Sequence, residues 1–65
     1  MTIKVGVLGA SGRMGSEVCR AVINDHDTSL VLAIDELNVG ENVTGCDLSI
    51  TDDFSALEDA DVIVD

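Results

Sequence analysis

The run Val5-Gly6-Val7-Leu8-Gly9-Ala10-Ser11-Gly12-Arg13-Met14-Gly15 constrains this chain more than any other feature. Lys4 to Leu8 is mostly apolar and rich in strand formers, and Gly9, Gly12 and Gly15 follow it at three-residue spacing. A strand that passes through spaced glycines into a helix is how a fold cradles the phosphates of a dinucleotide. Each glycine has its own task. Gly9 allows a sharp turn out of the strand. Gly12 leaves the backbone bare where a pyrophosphate approaches, and Gly15 lets the first helical turn pack close to the strand. The amides of Arg13 and Met14 then open a helix whose free N–H groups and dipole favour an anion. The alternative is a tight turn with a purely structural purpose. Against it stands the coincidence of three glycines in register, each costing roughly 1 kcal/mol within a helix.

The segment beyond the turn fits the same unit. Gly15, Val18, Cys19, Val22 and Ile23 form one apolar helical stripe, with Glu17 and Arg20 on the other side. Asn24-Asp25-His26-Asp27 ends that pattern with turn-forming residues. Leu30-Val31-Leu32-Ala33-Ile34 is a continuous apolar run of strand length, as expected of a parallel strand covered on both faces. Strand, helix and strand in this length make a right-handed crossover. The fold class is therefore α/β, the amino-terminal part of a Rossmann-type parallel sheet: strand, helix, strand, short helix, third strand. Asp35 stands at the end of the second strand, about 20 residues past the turn, where a carboxylate accepts hydrogen bonds from the hydroxyls of an adenosine ribose. Such an acid suits the free 2′-hydroxyl of NADH and repels the 2′-phosphate of NADPH. Glu36 adds a second negative charge, with a solvated loop charge as its alternative reading.

The wording of the turn, Gly-Ala-Ser-Gly-Arg-Met-Gly, resembles that of the dihydrodipicolinate reductases, also called 4-hydroxy-tetrahydrodipicolinate reductases. Ile50-Thr51-Asp52-Asp53-Phe54 and Ala60-Asp61-Val62-Ile63-Val64-Asp65 resemble the family's later turn, short helix and strand, so the likeness covers the whole chain. Arg13-Met14, between the second and third glycines, is its specific part. The resemblance implies NAD(P)H-dependent hydride transfer to a cyclic unsaturated dicarboxylate in the diaminopimelate route to lysine. It assigns Gly9, Ala10, Ser11, Gly12, Arg13 and Met14 to the cofactor's pyrophosphate, with Gly15 closing the turn, and Asp35 to the ribose. Glu36 stands where many members carry an arginine for NADPH, which favours NADH or use of both cofactors. The family's members are several times longer, homo-oligomeric, and carry a substrate domain with a His-His-x-x-Lys segment. Residues 1–65 are accordingly expected to be a partial dinucleotide-binding domain, with the substrate domain and catalytic residues outside this chain and the piece inactive alone.

Composition narrows the rest. A chain of 65 residues buries only about 60% of its unfolded surface. Cys19 and Cys46 show neither zinc nor disulfide-framework spacing, which suits a reducing cytoplasm. No signal peptide is read at the start, no apolar run has the length of a membrane span, and no metal cluster is visible. Thirteen acids against three bases argue against nucleic acid, since Lys4, Arg13 and Arg20 form no cluster. His26 lies in a polar loop and reads as exposed. Leu37 to Thr51 is the least legible stretch, with turns at Asn38, Gly40, Asn42 and Gly45 and an extended piece at Leu48 to Ile50. Ser55 to Glu58 has capping-box spacing, with Asp52 or Asp53 as the competing cap. Two other classes stay open: another glycine-turn dehydrogenase, such as a semialdehyde dehydrogenase, and a nucleotide-binding module without catalysis.

Overall fold

In the computed structural model, which describes residues 2–65, the elements are β1 (Ile3–Leu8), α1 (Arg13–Ile23), β2 (Thr28–Ile34), β3 (Ile50–Thr51), a short 3-10 helix (Phe54–Asp59) and β4 (Val62–Val64). The strands form one sheet in the order β3-β2-β1-β4, and every pairing is parallel. This is a Rossmann-like α/β arrangement. All four strands end at the same edge of the sheet. Because β2 and β4 flank β1, the strand order reverses between β1 and β4, which is where such sheets open a crevice for a ligand.

The stripe on α1 packs as its spacing requires. Cys19 is fully buried, and Val18, Val22 and Ile23 pack beside it against Val5, Val7 and Ala33 of the sheet. Burial pushes the Cys19 thiol up, with the nearby Cys46 a smaller cause, and both cysteines are free. Gly6 is turned to the opposite face from Val5 and Val7. A Cβ there would come within 3.0 Å of Ile63 Cδ1, so the absence of a side chain lets the β4 segment lie close.

Three details depart from the sequence-based expectation. The sheet has four strands where three are expected, because Ile50 and Thr51 pair with Ala33 and Ile34 as a short edge strand. The preceding stretch, read as turns with an extended piece at Leu48 to Ile50, closes into an ordered hairpin that the sequence alone does not join. Asn42 bridges Ser49 in antiparallel fashion, and the Val43 and Ile50 amides donate to Leu48 and Glu41 carbonyls at 2.8 Å each. Val43 and Ile50 are buried in the core, which supplies the apolar anchor that a run of turn residues conceals. β2 begins at Thr28, two residues before its apolar run, and its register with β1 shifts by one between Val5 and Gly6. The short helix is capped by Asp53, whose carboxylate accepts from the Ser55 amide at 3.0 Å and the Ser55 hydroxyl at 2.6 Å. Ser55 is thereby the donor, and the capping box it would head is not formed.

Candidate functional site

Gly9 leaves β1 with φ +70°, a left-handed conformation that favours glycine. The turn then folds back on itself: the Gly12 amide donates to the Gly9 carbonyl at 3.0 Å, and the Ala10 amide donates to the Ile34 carbonyl of β2 at 3.0 Å. Gly15 is fixed by close approach. A Cβ there would lie 1.9 Å from the Gly9 oxygen and 2.7 Å from the Gly9 carbonyl carbon, both backbone atoms. Only glycine permits this packing of the first helical turn. Gly12 differs from both. Its φ of −73° and ψ of 169° are ordinary extended values, so its bare backbone is a matter of space above the turn and not of strain.

Gly12 is also the N-cap of α1, and no side chain caps that end. By helix geometry the amides of Arg13, Met14 and Gly15 have no carbonyl four residues back, and the first such bond runs from the Ser16 amide to the Gly12 carbonyl at 2.9 Å. The N-terminus of α1 therefore presents several unspent donors and the positive end of its dipole. Beside it opens an apolar cleft of about 240 Å³, walled by Leu8, Gly9, Gly12, Met14, Gly15 and Val64. It lies at the ends of β1 and β4, at the reversal of strand order. Met14 is 75% exposed and forms part of that wall. Arg13 is exposed at the same helix start.

Asp35 follows β2 directly and reaches across to the turn. Its Oδ2 accepts from the Ser11 amide at 3.0 Å and the Ser11 hydroxyl at 2.6 Å, while its Oδ1 accepts from the Leu37 amide at 3.0 Å. The Ser11 hydroxyl first, then the Leu37 amide, hold the Asp35 carboxyl below its ordinary range. The structure thus brings together Gly9 to Gly15 and Asp35. Glu36 is exposed beside Asp35 and is not tied to the turn. In the sequence Ser11 and Asp35 are separate contacts 24 residues apart, and only the fold joins them into a pair. The signal available beforehand is a hydroxyl inside the turn and an acid at the end of the adjacent strand. Leu8 and Val64, which wall the cleft, carry no mark in the sequence beyond their strand character.

A second, more polar cleft of about 230 Å³ lies on the other side of the turn, between α1 and the hairpin, with Ser11, Ser16, Arg20, Asn38 and Glu41 on its walls. No group of His, Cys, Asp and Glu among the described residues is arranged to hold a metal, and no helix among them is long and apolar enough to cross a membrane. His26 is exposed, as expected.

The family model described as "Dihydrodipicolinate reductase, N-terminus" matches residues 3–65. The chain belongs to that family. Among individual proteins, the chain is 46% identical over 48 residues to the 4-hydroxy-tetrahydrodipicolinate reductase of Cutibacterium acnes, a match covering 74% of this chain and 20% of that protein. It is 48% identical over 50 residues to the enzyme of the same name from Bifidobacterium longum, covering 77% of this chain and 19% of the relative. It is also 35% identical over 69 aligned residues to the N-acetyl-gamma-glutamyl-phosphate reductase of Bacteroides fragilis, covering 94% of this chain and 21% of that protein. The chain spans about a fifth of the length of these curated relatives. No solved structure matches it.

Proposed function

We propose that this chain is the cofactor-binding portion of a 4-hydroxy-tetrahydrodipicolinate reductase, holding NADH across the glycine turn, with NADPH as at most an equal alternative. The observation that carries the reading is the convergence of the uncapped start of α1, the bare Gly12 and the Asp35 carboxylate at one edge of the sheet. The residues fit the group. A Cβ at Gly12 would meet the Gly9 oxygen at 3.3 Å and add bulk at the helix start, where the Arg13, Met14 and Gly15 amides supply donors of the right sign for a pyrophosphate. The apolar cleft beside Met14 and Val64 suits the uncharged face of a nicotinamide ring, and Asp35 suits a ribose diol.

Within that assignment each residue has a physical role. Gly9 and Gly15 fix the turn so that the helix start faces the phosphates without reorganising. Arg13 adds a positive charge at the same point, in a chain whose net charge is −10. The bound cofactor supplies hydride; the chain binds and orients it. Asp35 and Glu36 together disfavour a 2′-phosphate, which supports NADH over NADPH. The substrate is read as a small cyclic dicarboxylate held by residues other than these, in a homo-oligomeric cytoplasmic enzyme. Two free cysteines and a strongly acidic composition support that setting, without nucleic acid or membrane as partner.

The likeness to an N-acetyl-gamma-glutamyl-phosphate reductase across 94% of the chain favours one second reading: the same cofactor unit serving a different substrate. Both are tested by purifying the protein that carries this chain and following NADH oxidation with each substrate. Turnover with 4-hydroxy-tetrahydrodipicolinate supports the first reading. Turnover with N-acetyl-gamma-glutamyl phosphate alone replaces it with the second.

A further inference from the structure

The Asp35 carboxylate has about four acceptor positions, and three of them are already taken: two on Oδ2 by the Ser11 amide and hydroxyl, one on Oδ1 by the Leu37 amide. A ribose diol presents two O–H donors, so Asp35 by itself has one position too few. The missing acceptor is adjacent. Ser11 spends its single hydroxyl hydrogen on Asp35 at 2.6 Å, which leaves the lone pairs of Oγ free to accept.

We propose that Ser11 is a specificity-determining and positioning residue for the cofactor's adenosine ribose, forming with Asp35 one receptor for a vicinal diol: Asp35 Oδ1 and Ser11 Oγ each accept one ribose hydroxyl. The inference rests on the reading of Asp35 as the ribose contact. Three features support it. The Ser11 bonds lock the carboxylate at the mouth of the turn instead of leaving it free to rotate. The Ala10 amide, bonded to the Ile34 carbonyl at 3.0 Å, pins the backbone on either side of the pair to the end of β2. The short hydroxyl bond keeps Asp35 ionised, so Ser11 cannot turn its hydrogen outward without losing a charge-assisted bond. A 2′-phosphate supplies one hydroxyl donor in place of two and brings its own negative charge against this acceptor pair. Ser11 thus adds to the discrimination against NADPH.

The test is equilibrium titration of NADH and NADPH, by calorimetry, into the full protein carrying this chain, with Ser11→Ala, Ser11→Thr, Asp35→Asn and the Ser11→Ala/Asp35→Asn double variant. Ser11→Ala is expected to weaken NADH by roughly five- to tenfold and NADPH by less than about twofold, the loss of one hydrogen bond to the diol. Ser11→Thr restores NADH binding, and the double variant binds NADH more weakly than Asp35→Asn, because Ser11 Oγ accepts a hydroxyl of its own. The acid fall-off of NADH affinity moves to higher pH in Ser11→Ala, because Asp35 loses the bond that most depresses its pKa. Equal weakening of both cofactors in Ser11→Ala makes the residue merely structural and overturns the proposal. So does parent-like NADH binding in Ser11→Ala alongside a weakened Asp35→Asn, which leaves the ribose reading intact. If Asp35→Asn also binds like the parent, the ribose reading itself fails and the inference with it.

Discussion

Replacing Gly15 with alanine sets two known effects against each other, and the structure decides the sign. Alanine is favoured over glycine in a helix by about 1 kcal/mol. The new Cβ, however, would stand 1.9 Å from the Gly9 oxygen, 2.7 Å from the Gly9 carbon and 3.0 Å from the Ala10 Cα, where ordinary contact begins at 3.4 Å. All three are backbone atoms, so no rotamer relieves the overlap. The turn cannot yield freely either, because the Gly12 amide holds the Gly9 carbonyl and the Ala10 amide holds β2. The start of α1 must therefore back away by more than about 1 Å, at the upper end of the 1–3 kcal/mol typical of overpacking. Loss of the Gly9–Gly12 hydrogen bond adds about 1 kcal/mol more. The net expectation is destabilisation by roughly 2–3 kcal/mol, read as a lower urea midpoint by circular dichroism. Gly12→Ala is the control: its Cβ meets only the Gly9 oxygen, at 3.3 Å, in an ordinary backbone conformation, so with the poorer N-cap the stability should fall by about 1 kcal/mol or less. A Gly15→Ala protein as stable as its parent would refute the close-packing argument.

Gly12→Val should leave the urea midpoint near that of the parent, since φ at this position is −73°, yet abolish NADH binding in a fluorescence titration. Retained affinity would make the turn structural only. Glu36→Arg should raise kcat/KM for NADPH relative to NADH by roughly three- to tenfold at low salt and by less at high salt; an unchanged ratio removes Glu36 from cofactor choice. The carboxyls of Asp35 and Asp53 are both held below their ordinary range, chiefly by the hydroxyls of Ser11 and Ser55. Their contribution is fully present above the unfolded-state value of about 3.9 and is lost as pH falls through the lower folded values. Asp35→Asn should therefore show a flatter loss of stability than the parent over that acid range; identical acid-unfolding curves would show that the hydrogen bonds do not bias the titration.

The range of the forces involved decides which features are legible in the sequence. The turn and α1 are set by local chemistry: positive φ at Gly9, a helix stripe centred on Cys19, and an apolar β2 covered on both faces. Such patterns lie within a few residues of one another, and the structure reproduces them. β3 is two residues long and exists because β2 offers a free edge, so the extended piece read at Leu48 to Ile50 does not by itself announce a strand of the sheet. Val43 reaches the core only because the hairpin folds under α1, which its polar neighbours Asn42 and Thr44 hide. The cap at Asp53 prevails over the Ser55 spacing because a carboxylate accepts from both the Ser55 amide and hydroxyl. At the site, the individual residues are legible but their pairing is not. Ser11 and Asp35 meet through the parallel register of β1 and β2, a property of the sheet rather than of either segment.

We propose that the glycine turn, and not the polar cleft by the hairpin, receives the dinucleotide. Backbone amide NMR of the isotope-labelled protein during an NADH titration tests it most directly. Saturable shifts are expected at Ser11, Gly12, Arg13, Met14 and Gly15 and at the residues around Asp35, all tracking one binding curve. Shifts confined to Asn38, Glu41 and Thr44, or none in the turn at saturating NADH, would contradict it.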